Sequence, residues 1–542
     1  MAESYNKPPK LDEESGACCS NNADEYNTFK SSFAQIGTIC VQNVIMLGFG
    51  MSLAIPTVVI GELMSADGGG AAGDNDLALT ETEASWYGSV LLVCHPTGGL
   101  LSGVLQELIG RKWCMAAVSV PQLVGWYVLW KAENAFELYV SCVALGLSMG
   151  LSEAPVLTYV GETVEPRLRG PLSSVSTFTI MLGSFVAYLM STALPWRTIA
   201  MINMAVPIVS FAAVVLLTPE SPVWLLSRNR PSEAKKSLAY LRGCVSTDEV
   251  EDEFSELSIY TGFDKSVDPE QYADCGMDQR RLSYVKYLQI NTNDTVSAEM
   301  DMLANRKQNT SWLNAAKDFW TPELHRPFLF IMLFFFFWSF ATFIPAKPYL
   351  ISVFQDVGLP CTAHWTLVYT SILTMVGTFM NMFTVGKFGK RPITLVSMAL
   401  CAFSMLGIGM HMVVEKYFSF SCAWIPMVLM NTLFFFSGYG VFPIPWMLVS
   451  EIYPTKGRGI VSGLTAALAF LMTFVLTKWF LEMEAWFTLA GLFIVYGAIT
   501  VVGTLYLYAC MPETENRTLQ EIEKFFVGDL DDYSHDRDEL NA

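Results

Sequence analysis

Residues 159–170 read YVGETVEPRLRG, and residues 443–459 read PIPWMLVSEIYPTKGRG. In each stretch a glutamate, Glu162 or Glu451, is followed seven residues later by an arginine and then a glycine, with the arginine at Arg169 or Arg458. The two copies lie 289 residues apart. A unit that recurs at so large a separation indicates that the chain consists of two similar halves.

Two further motif pairs recur in the same order. Gly110-Arg111-Lys112 has a counterpart at 389–391, 279 residues later, and Pro219-Glu220-Ser221 has a counterpart at 512–514, 293 residues later. Three motif pairs at nearly one separation predict two homologous halves. Parallel repeats of this kind are typical of membrane carriers whose halves rock about a site near the middle of the bilayer.

The composition of the 542 residues places much of the chain in lipid. Hydrophobic residues make up 52%, charged residues only 15%, and the mean hydropathy is +0.38. This excludes a soluble enzyme of this size. Twelve spans of about 21 residues would occupy close to half of the chain. The apolar runs predict spans at 36–61, 84–106, 113–130, 136–160, 171–194, 198–217, 327–356, 363–385, 392–413, 421–449, 459–480 and 485–509.

The apolar runs divide into six plus six around one polar segment. We therefore predict an all-α integral membrane protein with twelve transmembrane helices in two six-helix repeats. The polar segment is too charged to cross a bilayer, and we predict a cytoplasmic linker with short amphipathic helices, one of them at 231–242. The predicted organisation is an N-terminal tail at 1–35, a first half at 36–218, the linker at 219–326, a second half at 327–510 and a C-terminal tail at 511–542.

The basic residues predict the orientation, because Lys and Arg close to a span resist translocation. With both termini in the cytoplasm, 28 of the 33 Lys and Arg residues would lie on the cytoplasmic side. The first thirty residues are polar and contain no short apolar core, so we predict no cleaved signal peptide. We expect a multi-pass membrane protein with cytoplasmic termini.

The net charge of −18 argues against nucleic acid and against a polybasic lipid-binding surface. The expected partners are the surrounding bilayer and a small solute. Most of the twelve cysteines lie in apolar runs, which predicts no disulfide framework. The sequence shows no metal cluster, phosphate loop or nucleophile constellation, so we predict no cofactor and no enzyme activity.

In this order and spacing, the motifs resemble the sugar porter family of the major facilitator superfamily, and most closely its insect facilitated trehalose transporter-like members. The resemblance runs from about residue 36 to residue 525. The strings that carry it are SWYGS (85–89), GVLQELIGRK (103–112), the stretch at 159–170, PESPVWLL (219–226), FQDVG (354–358), GKFGKR (386–391), the stretch at 443–459 and PETENRTL (512–519).

The resemblance implies the major facilitator fold and a carrier that moves a sugar (hexose or trehalose-like) or a polyol by alternating access, as a monomer in the plasma membrane. The first span offers only Gln42 and Asn43 where a proton-coupling carboxylate could stand, which favours a facilitative uniporter. Two alternatives remain open: a carrier of a non-sugar, charged solute, and a non-transporting sensor with the same fold.

The resemblance also assigns charges at the cytoplasmic helix ends to a gating network. Pairs between the two halves form only when these ends are together, so they would favour the outward-open state. Alternatively, the charges are solvated residues at helix ends or topology signals. In the first loop the usual Asp of the family is a Glu. The predicted network comprises Glu107, Arg111, Glu162, Arg169, Glu220, Arg391, Glu451, Arg458 and Glu513.

The positions that handle substrate in the family carry different side chains in this sequence. Long amides can donate and accept hydrogen bonds with sugar hydroxyls, but here they are replaced by Thr177, Trp338, Ser339 and Thr374. The tryptophan of the tenth span remains as Trp446. We predict all five residues for the substrate site.

Two ionisable residues stand at positions that face the pocket in the family, Glu153 in the fourth span and Lys347 in the seventh. Charges at membrane depth are costly unless paired or hydrated, and by default they indicate function. We predict both for the substrate site, with each as the other's partner. A purely structural pair, or Lys347 extending to the outer interface, is the alternative. His95, Pro96 and Phe334–Phe337 are assigned to packing or to lipid-facing positions.

Overall fold

Every predicted apolar run folds as helix in the computed structural model, which describes residues 14–65, 77–164, 166–260, 322–418, 422–453, 458–515 and 525–526. Eleven of the described helical segments are long and apolar enough to cross a membrane. The run predicted at 171–194 lies in a further helix, Pro166–Ser191, whose shorter apolar section is Val175–Ser191. The all-α membrane fold is confirmed.

The transmembrane helices are labelled α1 to α12 along the chain. In the first half they are α1 Glu14–Ser65, α2 Glu81–Ile109, α3 Arg111–Lys131, α4 Ala135–Thr163, α5 Pro166–Ser191, and α6, which is Trp196–Asn203 continued by Ala205–Leu217. In the second half they are α7, built from Pro322–Ala341, Ile344–Tyr349 and Leu350–Asp356, α8 Ala363–Phe388, α9 Lys390–Phe418, α10, built from Trp424–Phe436, Ser437–Val441 and Pro443–Ile452, α11 Arg458–Lys478, and α12 Phe480–Cys510.

Three short helices of the linker are described, Pro222–Ser227, Pro231–Leu241 and Glu251–Tyr260. The second matches the helix predicted at 231–242. The linker packs against one end of the bundle, where the Trp224 indole donates a hydrogen bond to the Glu107 carbonyl at 3.1 Å. We call this the linker end and the opposite one the far end. The rest of the predicted linker, 261–321, lies outside the described residues.

Helix α1 begins at Glu14, inside the segment predicted as a polar tail. No proline interrupts the sequence between this residue and the first apolar run, so the helix continues beyond its hydrophobic section. Its polar turns also gain a neighbour, because Gly243 of the linker lies against Lys30. The first span therefore enters the bundle as part of a longer helix.

Helices pack closely within each half, and glycines permit the closest approach. In the first half, α2 and α4 cross where a Cβ on Gly98 would collide with the Leu147 carbonyl oxygen. In the second half, α9 lies against α12 and α8 against α10. Between the halves, α2 packs on α11, α5 on α8, and α1 on the middle section of α7. These three contacts frame the space in which the candidate site lies.

Helix α7 is broken, although the sequence predicts one continuous span at 327–356. The α-helix stops at Ala341, Phe343 adopts a left-handed conformation with φ 54°, and a 3₁₀ turn follows at Ile344–Tyr349. Pro345 and Pro348 lie in this turn. Proline has no N–H for an α-helical hydrogen bond and its ring obstructs the preceding turn, so the chain cannot stay α-helical here. Lys347 lies within the break.

Helix α10 contains a π-helical turn at Ser437–Val441. A Cβ on Gly438 would clash with the Thr374 carbonyl oxygen of α8, and a Cβ on Gly440 would clash with the Ser397 hydroxyl of α9. The glycines therefore bring the widened turn against both neighbours. Pro443 starts the next α-helical section, because a proline is tolerated in the first turn of a helix.

Candidate functional site

A pocket lies between the two halves, beside the breaks in α7 and α10. Residues of α1 and α5 line one side of it, and residues of α7, α8 and α10 line the other. Its wall is mostly apolar, with several hydroxyl groups and one charged side chain, Lys347. The lining residues are Leu53, Met181, Ser184, Tyr188, Lys347, Leu350, Leu367, Thr370, Ser371, Thr374, Phe434, Ser437 and Phe442.

Lys347 reaches the pocket because the 3₁₀ turn of α7 places it there. Its ammonium nitrogen lies 5.5 Å from the centroid of the Phe442 ring, which also lines the pocket. Its carbonyl oxygen accepts a hydrogen bond from the Thr57 hydroxyl of α1 at 2.8 Å. This bond ties the break in the second half to the first half.

The predicted pair between Glu153 and Lys347 is wrong. Glu153 Oε2 lies 3.0 Å from Nε2 of His95, a contact between α4 and α2. His95 is 2% exposed, whereas the Glu153 side chain is 37% exposed. The physical reason is proximity within one half, since α2 and α4 cross closely through their small residues. Among the described residues, no carboxylate lies within ion-pair distance of Lys347.

His95 is buried among aromatic rings, in line with its assignment to packing, and one of these rings belongs to the second half. Its ring stacks on Phe470 of α11 with the centroids 3.8 Å apart, and it meets the edge of Phe49. With Glu153 ionised, Nε2–H donates to the carboxylate. The other ring nitrogen, Nδ1, is then a buried acceptor with no hydrogen-bond partner in the part of the chain that the structure describes.

A row of aromatic rings connects His95 to the pocket. From Phe470 it continues through Trp446, at 5.6 Å between centroids, and Trp338, at 6.4 Å, to Phe442, at 5.7 Å. Two of the predicted site residues, Trp338 and Trp446, are thus part of one wall. We call Phe442, Trp338, Trp446 and Phe470 the aromatic wall. It extends from Phe442, beside Lys347, to Phe470, beside His95.

The other predicted pocket residues differ in position. Thr374 lines the pocket, and its hydroxyl donates to the Thr370 carbonyl at 2.9 Å. Ser339 is fully buried and donates to the Phe335 carbonyl of its own helix at 2.9 Å, so it does not face the pocket. Thr177 is half-buried on α5 and is not among the lining residues.

At the linker end, the charged motifs of the first half form one cluster. Arg111 pairs with Glu162 at 2.9 Å and with Glu107 at 3.0 Å. Glu220 accepts hydrogen bonds from the main-chain N–H groups of Arg111 and Lys112 at 2.9 and 3.0 Å. Burial raises the pKa of Glu220 above its ordinary value, and the N–H donors and Arg111 oppose that shift. The cluster joins α2, α3, α4 and the start of the linker.

The second half repeats the cluster with one exchange. Glu513 accepts from the main-chain N–H groups of Lys390 and Arg391, both at 3.0 Å. The side chain that pairs with Glu451 is that of Lys390, at 3.0 Å, and it also pairs with Glu515 at 2.6 Å. The Arg391 guanidinium instead donates to the Tyr508 carbonyl. Lys390, which aligns with Arg111, therefore makes the side-chain ion pairs of this cluster, and Arg391, the residue predicted for the gating network, makes none with the described residues.

In this conformation the described charges do not form the predicted network across the halves. Each ion pair that the described residues make between these motifs joins two residues of the same half. The predicted pairs across the halves do not form because the charges at the helix ends of each half lie in a cluster of their own. The side chains of Arg169 and Arg458 lie outside the described residues.

The two halves meet at the far end. The Ser85 hydroxyl of α2 contacts both the carbonyl oxygen, at 3.2 Å, and the ammonium group of Lys478 on α11. The adjacent Trp86 lies near Phe474, which precedes Lys478 by one turn of α11, with ring centroids 6.5 Å apart. On the other side of the pocket, Gly61 of α1 lies against Ile351 of α7. The two halves therefore touch on the far-end side of the pocket.

Sequence reasoning missed three residues of these clusters, His95, Lys390 and Glu515. Each of the three had a usable signal. Lys390 follows a glycine just as Arg111 does, and Glu515 lies in the motif that recurs after α12. His95 is an ionisable residue within a predicted span, which by itself indicates function. What connects it to Glu153 is the packing of α2 on α4, which the sequence does not show.

Comparison with known proteins places the chain among membrane transporters. The family model for the Major Facilitator Superfamily matches residues 41–477. The facilitated trehalose transporter Tret1 of Apis mellifera ligustica is 24% identical over 488 residues, covering 89% of this chain and 86% of the relative. The human solute carrier family 2, facilitated glucose transporter member 6, is 27% identical over 477 residues, covering 84% of each chain.

Solved structures share the fold. The proton:xylose symporter XylE bound to 6-bromo-6-deoxy-D-glucose superposes with a TM-score of 0.62 at 19% sequence identity. The match covers 92% of this chain and all of that one. At this identity the likeness establishes the architecture alone.

Proposed function

The chain belongs to the Major Facilitator Superfamily, and on that basis we propose that it is a facilitative carrier of the sugar porter type. It moves a sugar or a polyol across the plasma membrane by alternating access, and it works as a monomer. The bilayer and the solute are its partners. The relatives named above, a trehalose and a glucose transporter, support a sugar as the substrate class.

One observation carries this proposal: the pocket lies between two repeats that touch at the far end. The linker-end charges are meanwhile held in two separate clusters, one in each half. A carrier that rocks about a central site has one state of this kind and one with the opposite end closed. In that second state the two clusters would meet and pair across the halves, as the gating network of Glu162, Arg169, Glu451 and Arg458 predicts.

We assign the linker end to the cytoplasm, since the basic residues near the spans are concentrated in the segments on that side. The conformation described is then inward-facing. Epitope tags after residue 2 and before residue 541 should bind antibody only in permeabilised cells. Labelling of intact cells would contradict this orientation, and a tag in the loop at 132–134 between α3 and α4 provides the accessible control.

Transport is tested with the purified full-length chain in sealed vesicles. We expect counterflow uptake of at least one radiolabelled sugar or polyol from a panel that includes trehalose, glucose and sorbitol. Because uniport needs no ion gradient, an imposed pH gradient should not drive accumulation. Accumulation driven by protons would contradict the facilitative mechanism, and the absence of all solute flux would favour the sensor alternative.

The aromatic wall provides a matched pair of variants. Trp446→Ala opens the wall beside the pocket and should reduce uptake severalfold or more. Trp424→Ala removes the same side chain from a position on α10 that is 67% exposed, and should leave uptake near the wild-type rate. Equal rates for the two variants would argue against a substrate site at this wall.

A further inference from the structure

We propose that the pocket selects a solute that carries one carboxylate together with several hydroxyl groups, the chemistry of uronic and aldonic acids. Lys347 holds the carboxylate, and the pocket hydroxyls accept hydrogen bonds from the solute. This inference rests on the proposed function, because it names the substrate class of the same carrier.

The first argument is that Lys347 lacks a counter-ion. It is the one charged side chain among the described residues that line the pocket. Glu153, the carboxylate predicted for it, contacts His95 at the other end of the aromatic wall. A cation at membrane depth is costly unless an anion or water compensates it. A carboxylate on the solute would supply that compensation inside the pocket.

The position of the ammonium group supports this role. Its nitrogen lies over the face of Phe442, which lines the same pocket. The attraction between a cation and an aromatic ring is weak compared with an ion pair. The ring can therefore hold the ammonium group in place without satisfying its charge, and three N–H donors remain for a solute.

The second argument concerns the hydroxyl groups of the pocket. A hydroxyl has one proton to donate and two lone pairs. Four of these protons already point at main-chain carbonyls, because Ser184 donates to Gly50, Thr370 to Thr366, Ser371 to Val368 and Thr374 to Thr370. These groups can therefore offer a solute their lone pairs, which accept hydrogen bonds from hydroxyl groups of the solute.

The two arguments define one ligand chemistry. The pocket presents one charged donor, at Lys347, and four hydroxyl groups whose lone pairs can accept. A neutral sugar would satisfy the acceptors but leave the lysine uncompensated. A fully ionised phosphate ester would bring about two charges against one lysine. A hydroxylated monocarboxylate matches both features.

The test compares two solutes that differ at one carbon. Counterflow uptake of radiolabelled D-glucuronate and D-glucose is measured in vesicles containing the full-length chain, with glucose 6-phosphate and trehalose as further arms. We expect glucuronate to enter at least tenfold faster than glucose. Glucuronate should also raise the melting temperature of the detergent-purified protein, and glucose should do so less.

Variants of the lysine separate charge from shape. Lys347→Met should abolish the preference for glucuronate, and Lys347→Arg should retain most of it. Lys416→Met removes an exposed lysine at the far end of α9 and is the matched control that should preserve the preference. If Lys347→Met does not fold, the ratio of glucuronate uptake to glucose uptake in the wild type and in Lys347→Arg still tests the proposal.

The outcomes distinguish the two proposals. Uptake of glucose or trehalose at or above the rate for glucuronate would overturn the carboxylate inference and leave the carrier proposal standing. Faster uptake of glucose 6-phosphate than of glucuronate would likewise overturn it, in favour of a phosphate site. Absence of flux for every solute, from protein that is monodisperse and folded, would contradict the proposed function itself.

Discussion

His95 and Glu153 are two ionisable side chains in contact within the bundle. The His95 ring also stacks on a ring of the opposite half, that of Phe470. His95 is buried and Glu153 is partly exposed. Phe470 covers the imidazole face in this conformation. The environment of the pair therefore depends on how the halves are arranged.

A double-mutant cycle tests this pairing. His95→Phe and Glu153→Met each introduce an apolar side chain of similar length. For this pair we expect a coupling energy of about 0.5 to 3 kcal/mol, the range for residues in direct contact. For Glu153→Met and Lys347→Met we expect additivity within about 0.5 kcal/mol. Unfolding of the purified protein measures both cycles. A larger coupling in the second cycle would restore the pair that the sequence predicted.

Neighbouring basic residues at the start of α9 allow a second test. The Lys390 side chain is 7% exposed and pairs with two carboxylates, whereas Arg391 donates to one carbonyl. We expect Lys390→Met to destabilise the protein by about 1 to 3 kcal/mol, because it leaves two carboxylates side by side. Arg391→Met should cost less than about 1 kcal/mol. Equal losses, read from the unfolding midpoints, would contradict the assignment of the ion pair to Lys390.

At the scale of the helix, the two breaks in the second half determine what faces the pocket. In α7, Pro345 and Pro348 interrupt the α-helix and turn Lys347 toward the interface. In α10, the π-helical turn brings Ser437 and Phe442 to the same space. Irregular backbone within membrane helices is tolerated where it lines a cavity or is buried in protein, and both breaks meet this condition.

Gly438 of the π-helical turn allows a prediction at the scale of the helix. Gly438→Ala places a Cβ against the main chain of α8 at Thr374, which cannot move like a flexible side chain. We expect a loss of about 1 to 3 kcal/mol in stability and reduced transport. Gly463→Ala on α11 is the matched control, because no atom lies within 4 Å of its added Cβ. If the two variants melt at the same temperature, α8 and α10 do not approach each other as described.

At the scale of the whole molecule, we propose that the far-end contacts and the linker-end clusters take part in one conformational cycle. The contacts between α1 and α7 and between α2 and α11 must separate for the pocket to open toward the far end. The two charge clusters would then be brought together. The bias between the states is set by the difference between these two sets of contacts.

A cross-link across the far end should stop the cycle. A Cβ on Gly61 would lie 2.8 Å from the Cβ of Ile351, and a disulfide needs about 3.8 Å, so a small adjustment permits Gly61→Cys and Ile351→Cys to form a disulfide. We expect oxidation of the double variant to abolish uptake and reduction to restore it. Each single variant, oxidised in the same way, is the control. Full uptake by the cross-linked protein would show that these helices need not separate.

The sequence by itself determined the architecture. Apolar runs of sufficient length must become helices in lipid, since a helix satisfies its main-chain hydrogen bonds internally. The repeated motifs at 159–170 and 443–459 established the two halves, and their glutamates do lie in equivalent charge clusters. Thr374 lines the pocket, because its position follows from the register of a long helix, whereas Trp446 lies in the aromatic wall, two rings away from the lining residue Phe442.

Only the tertiary structure decided which charges are partners. Glu153 pairs with His95 rather than with Lys347, and the partner of Glu451 is Lys390 rather than Arg391. The Ser339 hydroxyl donates a hydrogen bond to a carbonyl of its own helix. Hydropathy and motif spacing describe positions along a helix, but pairing depends on the depth and rotation at which two helices cross. Those quantities depend on glycines that set interhelical distance and on prolines that break α7. That Lys347 lies in the pocket without a counter-ion among the described residues follows only from these helix crossings.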